Sequence, residues 1–288
     1  MTRVRTYSDI RYRSPDGLSL YARDYAGHGR GLPLLCMHGL SRNSADFEMM
    51  AELLPDYRII SVDQRGRGDS DWDPDKSNYR PDVYCQDMFT LLDNLGLDKV
   101  VAIGTSMGGL MTMMMAQMRP GVFRAAVIND IGPEIDTKGL ARLRGYVGTS
   151  PDFDSWDAAA VSVKMQGPDI FPEFRDADWL AFARRTCRET PDKRIKFNYD
   201  PAIGEGVKGA RPGAVSPDLW PVFAALDDVP LLLIRGETSD ILPESTAHRM
   251  ADRHPDCRLV TIGGRGHAPL LDEPDAIRAM SGFLEENP

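Results

Sequence analysis

The chain has 288 residues, 34 Lys plus Arg against 43 Asp plus Glu, a net charge of −9 and an apolar content of 42%. That length covers two ordinary domains or one large α/β domain, with ample chain for a buried core and no need of disulfide or zinc staples. The acidic balance argues against nucleic-acid binding, which rests on clustered cations, and no segment approaches the ~20 uninterrupted apolar residues of a membrane span.

The opening segment, MTRVRTYSDIRYR, carries charges throughout, so no secretory signal is expected. Cys36, Cys85, Cys187 and Cys257 lie far apart and form no C-x-x-C pair. Such spacing fits buried thiols in a reducing cytoplasm, not a disulfide framework or a metal site. In chain order, apolar runs bounded by turn residues predict strands at 18–25 and 33–37, a helix at 45–54, and a strand at 58–62. A helix follows at 81–95, then a strand at 100–103, a helix at 107–118 and a strand at 125–128. Alternation resumes with strands at 231–234 and 258–262 and helices at 244–253 and 275–284. The later strands are continuously apolar, as expected of a mostly parallel sheet covered on both faces.

Between about 132 and 220 the alternation stops. Helical stretches at 138–147, 156–165 and 178–188 occur there without a convincing strand, among many prolines and aromatics. A flexible linker would be polar and rich in Gly and Ser, so a folded helical insertion is expected. The division is a core at 1–132 and 217–288 with a helical cap, or lid, at 133–216.

The segment Val100-Val101-Ala102-Ile103-Gly104-Thr105-Ser106-Met107-Gly108-Gly109 contains G-x-S-x-G between a strand and a helix. That context makes the motif a nucleophile elbow: the chain reverses sharply, exposing the serine hydroxyl above the C-terminal edge of the sheet. Three further motifs follow predicted strands: His38-Gly39-Leu40, Asp63-Gln64-Arg65-Gly66-Arg67-Gly68-Asp69-Ser70, and Gly266-His267. Together, in this order, they resemble the α/β-hydrolase-fold enzymes over nearly the whole chain. The resemblance implies an eight-stranded, mostly parallel sheet with helices on both faces and a cap inserted after the sixth strand.

A serine needs a base to accept its proton. Among five histidines, His28 sits in a Gly-rich loop, and His248 and His254 belong to or follow a charged helix. The resemblance gives His38 a structural place near the oxyanion hole. His267, on a glycine-rich loop after a strand, is the expected base. The acid that orients it is expected at Asp240, beyond the strand at 231–234, which gives the order Ser, Asp, His. Asp130, after the strand at 125–128, is the alternative, and Glu237 is a weaker candidate.

The resemblance also implies two oxyanion donors, the backbone N–H groups of Leu40 and Met107. The expected reaction is attack by Ser106, an acyl-enzyme, then hydrolysis by water, with no cofactor and no metal. The leading expectation is a cytoplasmic serine hydrolase, of carboxylesterase type, acting on a small, partly apolar ester or lactone. A carbon–carbon hydrolase of ring-fission products is the second reading. Members of that group commonly have Asn before the serine and Trp after the histidine, where this chain has Thr105 and Ala268. A non-catalytic binding module with the same fold is the third. His38, Trp156, Trp179 and Phe182 are candidate pocket residues, and basic cap residues such as Arg142 form either a solvated face or an anion clamp. The expected partner is a small-molecule substrate, with neither nucleic acid nor membrane, for a monomer or homodimer. The methionine run from Met107 to Met118 reads as a core helix, and Asp71, Asp73 and Asp75 as a solvated turn.

Overall fold

Strands and helices alternate where the apolar periodicity places them, and the residues between them decide how the sheet is wound. The computed structural model describes residues 5–167, 169–208 and 218–288; the expected 216/217 boundary lies outside them. The chain opens with an antiparallel pair, β1 (Ser8–Arg13) and β2 (Ser19–Tyr25). It continues through β3 (Leu34–Met37), α1 (Glu48–Leu53), β4 (Ile59–Asp63), α2 (Pro81–Leu95), β5 (Val100–Thr105), α3 (Met107–Met118) and β6 (Phe123–Asn129).

An insertion follows: α4 (Thr137–Tyr146), α5 (Trp156–Met165), α6 (Asp176–Thr186), a hairpin of β7 (Cys187–Glu189) and β8 (Ile195–Phe197), and α7 (Ile203–Lys208). The chain then returns through α8 (Trp220–Phe223), β9 (Leu231–Gly236), α9 (Glu244–Arg253), β10 (Cys257–Ile262) and α10 (Pro274–Glu286). Eight strands form one sheet in the order β1-β2-β4-β3-β5-β6-β9-β10, antiparallel at β1, β2 and β4 and parallel from there on.

Each central strand feeds both faces because side chains alternate along it. Leu35 and Met37 of β3 join Val100 and Ala102 of β5 in a core packed with residues of α2, α3 and the insertion. Leu34, Cys36, Val101 and Ile103 point the other way, into a core with α1 and α10. The methionines of α3 belong to the first of these: Met111, Met113 and Met115 are buried, while Met118 is exposed.

Three features of the secondary structure differ from expectation for identifiable reasons. β1 has one buried side chain, Tyr12, so its sequence carries no apolar run; it is an edge strand held by its partner. The β7–β8 hairpin interrupts the all-helical reading, with three-residue strands too short to show a period. The helix expected at 45–54 opens as a 3-10 turn, Ser44–Phe47, where the Asn43 side chain accepts the Ala45 N–H. Asp71, Asp73 and Asp75 brace the chain around their loop, accepting from the Ser19 N–H of β2, from Arg65 and from the Ser77 N–H, and Asp73 is buried where a solvated turn was expected.

Candidate active site

The turn between β5 and α3 is built by exclusion. A Cβ on Gly104 would meet the Gly108 carbonyl, and one on Gly108 would meet the Met37 carbonyl. Only hydrogen fits at either place, so the strand can turn directly into the helix. Ser106 sits at the apex with φ 53° and ψ −113°, a strained conformation for a residue with a side chain. Its own N–H is held by the Asn129 carbonyl at 2.9 Å.

From the apex a continuous hydrogen-bonded chain runs inward. Ser106 Oγ lies 2.9 Å from His267 Nε2, and His267 Nδ1 lies 2.9 Å from Asp130 Oδ2. An ionised carboxylate can only accept, so Nδ1 carries the ring proton and Nε2 is left to accept from the serine hydroxyl. Asp130 is fully buried and also accepts the Gly236 N–H at 3.0 Å. The His267 loop is braced on three sides. Gly266 N–H donates to the Ile170 carbonyl, Thr238 N–H to the Arg265 carbonyl, and the Asn129 side chain to the Pro269 carbonyl.

The acid beside His267 is therefore Asp130, and the expectation of Asp240 is corrected. Strand register is the reason. Thr105 of β5 stands opposite Asn129 of β6, so the residues that leave these strands next, Ser106 and Asp130, emerge side by side. Ile234 of β9 is level with Asn129, which leaves Asp240 six positions beyond the same line. Asp240 faces the insertion instead, where Arg142 of α4 grips it at 2.6 Å through Nε and 2.7 Å through Nη2. Burial opposes ionisation of Asp240, but the guanidinium prevails and holds its carboxyl below the ordinary range.

The His38-Gly39-Leu40 turn lies against the elbow: a Cβ on Gly39 would stand 3.7 Å from Ser106 Cβ. His38 is fully buried and receives the Gln64 N–H on Nε2 at 3.1 Å, so its Nδ1 donates to the Gly39 carbonyl at 2.7 Å. Burial pulls its pKa down to about 4, which keeps this bridge neutral. His38 thus fixes the turn and does not line the cavity, contrary to its candidacy as a pocket residue. Arg67, also fully buried, donates from Nε to the Leu40 carbonyl at 2.9 Å, while its Nη2 lies 3.8 Å from Met107 Sδ. One guanidinium thus braces both residues expected to supply oxyanion donors. Met107 opens α3, where first-turn N–H groups have no carbonyl partner within the helix.

Ser106 forms part of the wall of two cavities. One, of about 130 Å³, is roofed by the insertion and bounded by Arg42, Arg142, Gln166, Trp179, Phe182 and His267, among others. The other, of about 300 Å³, is mostly apolar and includes Met107, Leu110, Ile131, Ile135, Leu140 and Ile241, with Tyr79, Arg80 and Tyr84 also at its wall. Trp179 and Phe182 line the first of these. Trp156 lines neither; it packs under the Arg184 guanidinium, 4.6 Å from its ring centre. Sequence reasoning missed Asn129 and Arg67 as supports. Asn129 stands next to a named candidate and Arg67 inside a quoted motif, but neither shows its partner without the fold.

Comparison with known proteins agrees with this architecture. The alpha/beta hydrolase family model matches residues 34–280. A 3-hydroxybutyrate-oligomer hydrolase of Cupriavidus necator is 30% identical over 279 residues, 94% of each chain. A 2-(acetamidomethylene)succinate hydrolase of Mesorhizobium japonicum is 26% identical over 89% of each chain. The crystal structure of an alpha/beta hydrolase from Novosphingobium aromaticivorans superposes with a TM-score of 0.91 at 44% identity, covering 98% of this chain and 99% of that one. No helix among the described residues is long and apolar enough to cross a membrane. By the family match, the near full-length relatives and the fold, the chain belongs to the alpha/beta hydrolase family.

Proposed function

We propose that the protein is a serine hydrolase that cleaves carboxylic esters through an acyl-enzyme on Ser106. The observation that carries this reading is the unbroken path Ser106 Oγ–His267 Nε2–Asp130 Oδ2, with both distances at 2.9 Å. In the first step the Ser106 oxygen attacks the ester carbonyl carbon while its proton passes to His267 Nε2. The resulting imidazolium is stabilised by Asp130, which stays ionised and keeps the ring oriented. Charge on the former carbonyl oxygen is met by the N–H groups of Leu40 and Met107, donors of a kind worth about 3 kcal/mol each. His267 then gives the proton to the departing alkoxide. Water, deprotonated by the same ring, releases the acid and restores the serine.

The insertion acts in this reading as a cap. It closes the His267 side of the site with aromatic walls, and the low dielectric strengthens every charge interaction inside. The name of one relative, a 3-hydroxybutyrate-oligomer hydrolase, supports ester hydrolysis. The test is a panel of esters, lactones and ring-fission dienoates assayed with wild type and Ser106→Ala, alongside labelling by a fluorophosphonate. Wild type should turn over esters and take up the probe, and Ser106→Ala should lose both. Turnover of the dienoate alone would favour carbon–carbon cleavage, and a folded wild type that neither turns over nor labels would favour a binding module.

A further inference from the structure

The two cavities that meet at Ser106 differ in chemistry, and the direction of proton transfer tells them apart. An acyl-transfer site must hold the leaving oxygen within hydrogen-bond reach of the acid that protonates it. His267 is that acid in the reading above, on which this inference rests. His267 belongs to the wall of the smaller cavity, together with Ala268, Pro269 and Leu270, and not to the wall of the larger. Met107 belongs to the larger alone, while Leu40 borders both, so the expected oxyanion donors straddle the divide.

We infer that the larger apolar cavity holds the acyl chain and the smaller one the departing alcohol. The substrates are then esters of medium-length or branched hydrocarbon acids with small alcohols bearing hydrogen-bonding groups. Size and lining carry each half. The apolar cavity, at about 300 Å³, has more than twice the room of the other at about 130 Å³, so the longer hydrocarbon half of an ester fits there. Most of its wall, including Met107, Leu110, Ile131, Ile135, Leu140 and Ile241, is apolar; Tyr79, Arg80 and Tyr84 also border it, with the Tyr79 hydroxyl already donating to Asp200. The smaller cavity, about 130 Å³, suits a compact alcohol. Around it, Arg42, Asp46, Gln166 and Thr186 present donors and acceptors. Arg42 already donates to Asp46 and Thr186, and Arg142 to Asp240, so the cations are neutralised and the site suits hydroxyl groups over a free anion.

Leu140 and Gln166 are the specificity-determining positions, because each is half-buried and borders only one cavity. A bulky ring at either fills its cavity without entering the sheet core. The experiment uses the full chain and the monoglycerides of acetic and octanoic acid, with methyl octanoate as the third substrate. Wild type should favour octanoyl over acetyl glycerol by about tenfold or more in kcat/KM, as several buried methylenes would give. Leu140→Trp should reduce that acyl ratio by about tenfold while leaving the glycerol-to-methyl ratio at fixed octanoyl within about twofold. Gln166→Trp should do the reverse. An exchange of the two effects, or a wild type with no acyl preference but Ser106-dependent turnover, overturns the assignment of the cavities and leaves the catalytic reading standing. Monoglyceride hydrolysis that survives Ser106→Ala overturns the catalytic reading and the assignment with it.

Discussion

Ser106 occupies a backbone conformation that costs on the order of 1–3 kcal/mol, and it is held there by the packing of Gly104 and Gly108 and by the Asn129 carbonyl. Beside it two aspartates follow neighbouring strands, and only their surroundings separate their roles. Asp130 is fully buried, accepts the Gly236 N–H and meets His267; Asp240 is tied up by Arg142. Replacing Asp130 by Asn removes the charge and, with the Gly236 N–H holding the amide oxygen, turns an N–H donor toward Nδ1, so the ring proton is no longer fixed there. A kcat loss of roughly 10³- to 10⁴-fold is expected, with the far-ultraviolet circular dichroism unchanged. Asp240→Asn should cost less than about tenfold under the same assay. A larger loss at Asp240 than at Asp130 would return the acid to the position first expected from the sequence.

At the scale of elements, the insertion is fastened to the loops that follow β4 and β9 at identifiable points. Tyr199 bridges Arg67, the Gly68 N–H reaches the Asn198 carbonyl, and Asp200 holds both Lys76 and the Tyr79 hydroxyl. The Arg142–Asp240 pair fastens α4 in the same way, with about one fifth of each side chain exposed. Such a pair lies between the weak surface case and the fully buried one, where removing a single partner leaves a charge stranded. Arg142→Met should therefore lower stability by about 1–2 kcal/mol, seen as a thermal midpoint about 2–6 °C lower. Hydrogen exchange in α4 should quicken before that of β5. An unchanged midpoint would mean that α4 is held by its apolar contacts alone.

For the whole molecule, buried titratable groups make stability depend on pH, each with the sign set by its own shift. In the unfolded chain His38 takes up a proton near pH 6.5, whereas in the fold burial lowers that point to about 4. Between these values the unfolded chain binds a proton that the fold refuses, so stability present at neutral pH drains away as the pH falls from about 6.5 to 4. Asp63, pushed up to about 6 by burial, has the opposite sign between about 4 and 6, because there the fold binds the proton first. Comparing wild type with His38→Asn isolates the histidine. Between pH 7 and 4, denaturant titrations should show wild type losing about 3 kcal/mol more than the variant. Parallel losses would remove the titration of His38 from the account. The sequence by itself determined the order of strands and helices, the elbow at Ser106 and the loop of His267, because apolar periodicity and glycine-bounded turns are local properties. The edge strand β1 and the short β7–β8 hairpin escaped it, having almost no apolar pattern to read. Only the tertiary structure chose between two aspartates, turned His38 and Trp156 away from the two cavities, and brought Arg67 beneath the His38-Gly39-Leu40 turn. Those outcomes depend on which strands lie side by side and in what register, and no local stretch of chain carries that information.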